Sequence, residues 1–166
     1  MTKTVYLSLG SNLGNREANL REAISELGKL GEVTKVSSFY ETEPVEFTQQ
    51  PWFLNIAVEL QTELMPRQLL AATLKIERQM GRRRMQPKGP RLIDIDIVLF
   101  GTTVMHDAKL VIPHPAMHER KFVLIPLAEI AATARHPVFG KSVRELLDSL
   151  PPGAPVVKKY AVQLCR

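Results

Sequence analysis

The sequence has one cysteine, Cys165, a single residue from its end. No internal disulfide can form, and a reducing, cytoplasmic setting is the expectation. No apolar run approaches the roughly 20 residues that cross a bilayer. The start, Met1-Thr2-Lys3-Thr4-Val5-Tyr6, moves straight into alternation, without the apolar core and small-residue cleavage site of a signal peptide. Repeats and low-complexity tracts are missing too. Gly10-Ser11-Asn12-Leu13-Gly14 precedes a helical pattern but has no Gly-Lys-Ser/Thr ending and no Gly-x-Gly-x-x-Gly spacing, so it reads as a structural turn bordering a site. His114 and His118 lack the glutamate of a His-Glu-x-x-His site, which argues against a zinc hydrolase.

What is present suits one globular domain, residues 1–166, with a weakly patterned C-terminal extension from about 141. The net charge of +5 is local: Arg82, Arg83, Arg84, Lys88 and Arg91 cluster, and without them 17 basic residues balance 17 acidic ones. A local cluster suits a compact anionic ligand better than a long polyanion.

Alternation predicts strands over 4–9 and 52–61, and β-branched content predicts one over Val33–Tyr40. Helical spacing runs from Leu20 to Leu30 with Gly31 as its stop, and from Pro66 to Met80 with Gly81 as its stop. Leu92–Phe100 is the most emphatic strand. Residues 41–51 and 81–91 read as long loops of the kind that form lids. Past Pro113 come short helical pieces at 116–120, 124–131 and 143–150, then an extended or loose tail at 151–155. The order strand, helix, strand, strand, helix, strand predicts an α+β, ferredoxin-like antiparallel sheet, with helices packed on one face and mobile loops over a site on the other.

Along 92–100 the isoleucines and Leu99 share one face, while Asp94 and Asp96 share the opposite one. Like charges on one strand face repel unless a cation lies between them. Carboxylates at this spacing can lean onto two hard cations, and all-oxygen ligation selects magnesium or manganese. The arginine-rich segment upstream can clamp phosphate oxygens. On the strand over 52–61, Trp52, Leu54, Ile56, Val58 and Leu60 form the apolar face, and Phe53, Asn55, Ala57 and Glu59 the other. An aromatic beside an amide suits a flat heteroaromatic ligand. Pro113 and Pro115 bracket His114, and Glu77 is either a nucleotide contact or a partner for Arg78 or Arg82.

Ser8-Leu9-Gly10-Ser11-Asn12-Leu13-Gly14, Gly89-Pro90-Arg91-Leu92-Ile93-Asp94-Ile95-Asp96-Ile97 and the Pro113-His114-Pro115 to Phe122 stretch together resemble the 6-hydroxymethyl-7,8-dihydropterin pyrophosphokinase family of folate biosynthesis. The resemblance implies an ATP-dependent pterin diphosphokinase that moves pyrophosphate from ATP to a hydroxymethyl group and releases AMP. It implies that Asp94 and Asp96 hold two magnesium ions, with Arg82 and Arg91 stabilising the group in transfer. Phe53 and Phe122 would sandwich the pterin, with Thr42, Asn55 and the backbone near Val45 reading its edge. Glu77, Val98, Lys109, His114 and Arg120 would line the ATP site. Small-molecule substrates, a monomer, and no nucleic-acid or membrane partner are expected. Pro87-Lys88 stands where many members carry Arg-Trp. Two other readings compete: an RRM-like RNA-binding module, which shares the element order, and a two-metal phosphohydrolase, which would turn over ATP without a pterin.

Overall fold

In the computed structural model, which describes residues 1–44, 50–81, 91–153 and 155–161, the expected order appears with its second strand split. The elements are β1 (Lys3–Ser11), α1 (Arg16–Leu27), β2 (Glu32–Val36), β3 (Tyr40–Thr42), β4 (Phe53–Thr62), α2 (Pro66–Met80) and β5 (Asp94–Phe100). A hairpin of β6 (Met105–His106) and β7 (Val111–Ile112) follows. After it come a 3-10 turn at Met117–Glu119, α3 (Lys121–Ala131), α4 (Val143–Asp148) and β8 (Val157–Lys159). The main sheet is antiparallel with strand order β5-β1-β4-β3-β8, and β2 also pairs with β4.

Local chemistry sets the helix ends. The Asn15 side chain accepts from the Ala18 amide and opens α1, whose Leu20, Ala23 and Leu27 are fully buried. Gly28, not Gly31, caps that helix. Gly31 instead lets the chain pass against β4, where a Cβ would collide with the Gln61 carbonyl. Pro66 starts α2, Gln68 reaches back to the Met65 amide at 2.8 Å, and the Gly81 amide closes on Glu77 O at 2.8 Å.

The first core lies between the sheet and helices α1 and α2, built on Val5, Leu7 and Leu9 of β1 and Leu54, Ile56, Val58 and Leu60 of β4. These alternate residues are sealed from water, so truncating a leucine here to alanine costs about 2–5 kcal/mol. The opposite face of the sheet is only half free. A second core joins Ala57, Val98 and Leu99 to Met117, Val123, Leu124 and Leu127 around α3, and to Val143 and Leu146 of α4. The site occupies the uncovered half.

Two departures from the sequence reading follow from side-chain hydrogen bonding and register. The strand expected over Val33–Tyr40 breaks at Ser37, whose hydroxyl accepts from the Ala57 amide at 2.9 Å. Next to it, the Ser38 amide is taken by the Glu129 carboxylate of α3. In β5 the register slips, so that Tyr6 faces Leu99 while the adjacent Leu7 faces Ile97. Val98 and Leu99 therefore both join the second core, and Leu99 leaves the isoleucine face it was expected to share. Beyond the 151–155 segment, in the weakly patterned extension, Val157–Lys159 forms β8, which adds to β3.

Candidate active site

The uncovered half of the sheet floors a cavity of about 450 Å³. Cross-strand register brings its groups together. Asp94 on β5 lies opposite Gly10 on β1, Gly10 opposite Asn55 on β4, and Asn55 opposite Tyr40 on β3. One step along, Asp96 lies opposite Ser8 and Ser8 opposite Ala57. Strands about 4.8 Å apart place the Asp94 and Asn55 backbones roughly 10 Å apart across a single floor. Both aspartates lie on the cavity face and are part-buried, because Ile93, Ile95 and Ile97 fill the core beneath. Phe53, Thr42, Arg91, Arg120 and Phe122 are among the other polar and aromatic lining residues.

The edge of β5 is held at two points, one within the acidic pair and one beyond it. Glu77 of α2 accepts from the Ile95 amide, between the two aspartates, at 2.7 Å. The carbonyl of Val98, turned out by the bulge, accepts from the His114 amide at 3.0 Å. Arg91 Nη1 contacts Asp94 Oδ2 at 3.2 Å, so a cation already leans on the carboxylate pair. Burial pushes the His114 imidazole down to about 4; the Arg120 charge adds to this, and Asp94 opposes it. The ring is thus neutral near pH 7. Its Nδ1 accepts from the Ala116 amide at 3.1 Å, which leaves Nε2 as the N–H donor.

Two buried acceptors mark the far end of the cavity. Thr42 Oγ1 and Asn55 Oδ1 have no hydrogen-bond partner among the described residues. An orphaned buried polar atom is costly, and a bound polar ring edge would satisfy both. The donor set at the other end fits magnesium. It is all oxygen and only two side chains, and magnesium keeps waters and takes phosphate oxygens. Among the described residues no group of three or more His, Cys, Asp or Glu forms a closed metal cage.

The structure brings together Asp94, Asp96, Arg91, Phe53, Asn55, Thr42, Phe122 and Arg120, all of which line the cavity. Glu77, Val98 and His114 stand behind the acidic pair. Lys109 is not brought in: it sits exposed on the β6–β7 turn, where its amide bonds Asp107, itself paired with Arg67 in the first turn of α2. That is ten residues from Glu77, or roughly 15 Å along the helix. Arg82 and Val45 lie outside the described residues, as do Arg83, Arg84 and Lys88. Glu59 and Ala57 share the face of Phe53 and Asn55, but not its access. Glu59 is buried and bonded to Tyr6 Oη and Thr34 Oγ1, both at 2.7 Å, beyond the cavity.

Sequence reasoning missed Asn12, which is buried. Its Oδ1 accepts from the Arg91 amide at 2.7 Å, and its own amide donates to Arg91 O at 3.0 Å. Its Nδ2 donates to Gln50 Oε1 at 2.7 Å and Pro51 O at 3.1 Å. One side chain therefore ties together the chain segments that enter β4 and β5. The only signal in the sequence was an asparagine where a turn residue was expected. Ser8, Gly10 and Pro155 also line the cavity without having been singled out for it.

Residues 6–132 match the model of the 7,8-dihydro-6-hydroxymethylpterin-pyrophosphokinase family. The chain is 49% identical over 132 residues to the Bacillus subtilis 2-amino-4-hydroxy-6-hydroxymethyldihydropteridine pyrophosphokinase, covering 78% of this chain and 79% of that protein. It is 39% identical over 142 residues to the Aquifex aeolicus protein of the same name, covering 86% and 89%. It is also 43% identical to the folic acid synthesis protein of Pneumocystis carinii, but spans only 20% of that longer chain. Among solved structures, wild-type Plasmodium falciparum HPPK-DHPS matches with a TM-score of 0.72 at 16% identity, over 89% of this chain and 44% of the other. At that identity the likeness concerns the fold.

Proposed function

The chain belongs to the 7,8-dihydro-6-hydroxymethylpterin-pyrophosphokinase family, and on that premise we propose that it transfers pyrophosphate from ATP to the hydroxymethyl group of 6-hydroxymethyl-7,8-dihydropterin. One observation carries the reading: Asp94, Gly10 and Asn55 lie in a single cross-strand row. A phosphate-binding acidic end and a ring-binding amide end thus share one floor. The hydroxymethyl oxygen forms a bond to the β-phosphorus while the bond from that phosphorus to the α,β-bridging oxygen breaks. AMP leaves, and the hydroxyl proton goes to phosphate or solvent.

Asp94 and Asp96 are the groups that would hold magnesium, two ions on this reading. The metal's contribution is to neutralise the polyphosphate and orient its oxygens. Arg91, fixed through its main chain by Asn12 and leaning on Asp94, supplies a permanent positive charge where negative charge spreads in the transition state. Arg82 would add to this charge. Phe53 and Phe122 offer ring faces to the pterin. Thr42 Oγ1 and Asn55 Oδ1 accept from its amino and ring N–H groups, and Val45 would add a backbone contact. Neutral His114 offers Nε2–H to the nucleotide without adding charge, and Arg120 offers a guanidinium beside it. Glu77 and Val98 act on the nucleotide through β5, whose edge they hold. Lys109 would reach only a distal part of the nucleotide.

The test is AMP formation from ATP and the hydroxymethyl pterin by the wild-type enzyme and by Asp96→Ala. Loss of turnover in the variant, with fold intact, is expected. Full activity in Asp96→Ala would refute the metal assignment. ATP turnover without pterin would instead support the phosphohydrolase reading, and tight, salt-sensitive RNA binding the RRM-like one.

A further inference from the structure

The C-terminal strand has no place in the reading above, yet it stands against the ring-binding end of the cavity. β3 is only three residues long, and its inner neighbour is β4. Its outer neighbour is β8, with Thr42 opposite Val157, Glu41 opposite Lys158 and Tyr40 opposite Lys159. The ladder runs past both ends of β3, through the Glu43 amide to Val156 O at 3.0 Å and the Tyr160 amide to Phe39 O at 2.8 Å. Thr42 is therefore clamped between Phe53 and Val157, buried, with its Oγ1 at the cavity and without a partner among the described residues. Pro155, at the entry to β8, is itself part of the cavity wall, as are Glu43 and Pro44.

Side chains brace the same corner. Lys158 Nζ lies 5.2 Å from the centroid of the Trp52 ring, which leads into β4. Arg16 bonds Glu41 at 2.9 Å and Trp52 O at 3.0 Å, and its guanidinium lies 5.5 Å from the centroid of the Tyr160 ring. Without β8, a three-residue strand would be left as an edge, with the main-chain groups of residues 39, 41 and 43 unpaired on that side. Among the described residues no other strand pairs with β3 on that outer side.

We propose that the strand Val157–Lys159, with Pro155, is a working wall of the pterin pocket: it fixes Thr42 and Glu43 and so sets affinity for the alcohol substrate, while leaving ATP binding to the β5 side. This rests on the transferase reading above. It extends that reading to a segment beyond residue 132, where the family match ends.

Two variants test it. One ends the chain after Pro152. The other, Lys158→Pro, keeps the chain and removes one ladder donor, since pairs 43/156 and 39/160 are bonded and residue 158 falls in the same alternation. Lys158→Ala serves as the control that keeps the ladder and loses the ring contact. Binding of 6-hydroxymethylpterin in the presence of α,β-methylene-ATP, and of α,β-methylene-ATP alone, is measured by calorimetry beside the pterin KM. Expected are a pterin affinity weaker by about tenfold in the truncated chain and in Lys158→Pro, the scale of one lost hydrogen-bonded contact. Unchanged nucleotide affinity and a near-wild-type Lys158→Ala complete the expected result. Unchanged pterin affinity in Lys158→Pro, an equal loss of nucleotide affinity, or the same loss in Lys158→Ala would overturn the proposal. Failure of the wild-type chain to form AMP would instead count against the transferase reading. The binding arms, which need no turnover, keep the two apart.

Discussion

Replacing Gly10 with alanine probes how closely β1 and β4 share the floor of the cavity. Gly10 stands between Asn55 and Asp94 in the cross-strand row. A Cβ there would lie 2.8 Å from Asn55 Nδ2 and 3.4 Å from Phe53 Cδ1. The first distance is shorter than any relaxed carbon–nitrogen contact, so the Asn55 amide must rotate away. Forcing it about 30° off its rotamer costs roughly 0.5–1.5 kcal/mol. Losing its hydrogen bond to a bound ring costs about another 0.5–1.5 kcal/mol. The rotamer cost falls on the free protein too, so the lost bond alone, about 0.5–1.5 kcal/mol, sets the effect at about 2- to 13-fold weaker pterin binding. Gly10 is not one of the positive-φ glycines, so alanine fits its backbone and the loss of global stability should stay within that rotamer cost. The assay is steady-state AMP formation with pterin varied at saturating ATP, beside calorimetric binding of α,β-methylene-ATP. A raised pterin KM with unaltered nucleotide affinity is expected. An unchanged pterin KM would refute the argument from close approach, and a parallel loss of nucleotide affinity would refute the claim that the effect is confined to the ring-binding end.

Two further predictions concern the frame. Asn12→Ala removes three side-chain hydrogen bonds and strands the part-buried Arg91 amide, which should cost about 2–4 kcal/mol of unfolding free energy in denaturant titration. Turnover should fall as well, because Arg91 keeps only the main-chain bond from residue 12 and loses the side-chain one; a kcat equal to wild type would show that the side-chain anchor is not needed. The Glu129 carboxyl is pushed up by burial but held below its ordinary 4.5 overall by hydrogen bonds from Tyr40 and from the amide and hydroxyl of Ser38. Its native pKa thus lies below the unfolded one, so its stabilisation is present above pH 4.5 and is lost as pH falls through the native value. Glu129→Gln should therefore be less stable at pH 7 and show a shallower acid loss below pH 4.5; parallel pH–stability curves would count against this.

Much of the floor was legible because strand periodicity is a local property. Ile93, Ile95 and Ile97 alternate with Asp94 and Asp96, and whichever face is buried, the two carboxylates must share the other. Phe53 and Asn55 followed from the same rule on β4. The rule fails where an extra residue enters a strand. The bulge in β5 comes from pairing with β1, so nothing local announced that Leu99 would leave the isoleucine face. Likewise, Ala57 and Glu59 obey alternation, yet Ala57 packs in the core around α3 and Glu59 bonds Tyr6 and Thr34, rather than reaching the cavity.

The sequence by itself determined the order of the main elements through β5, apart from the split second strand, and the acidic and aromatic–amide pairs, because each is written in neighbours a few residues apart. Only the tertiary structure decided what stands around them. Asn12 meets Arg91 and Pro51 across 79 and 39 positions of chain. α3 and α4 close half of a face expected to be free, and β8 reaches back across more than a hundred residues to β3. Main-chain donors at a sheet edge accept any partner strand, so the tail carried no side-chain pattern to betray its place. Its position is fixed by hydrogen bonds that every residue but proline can make.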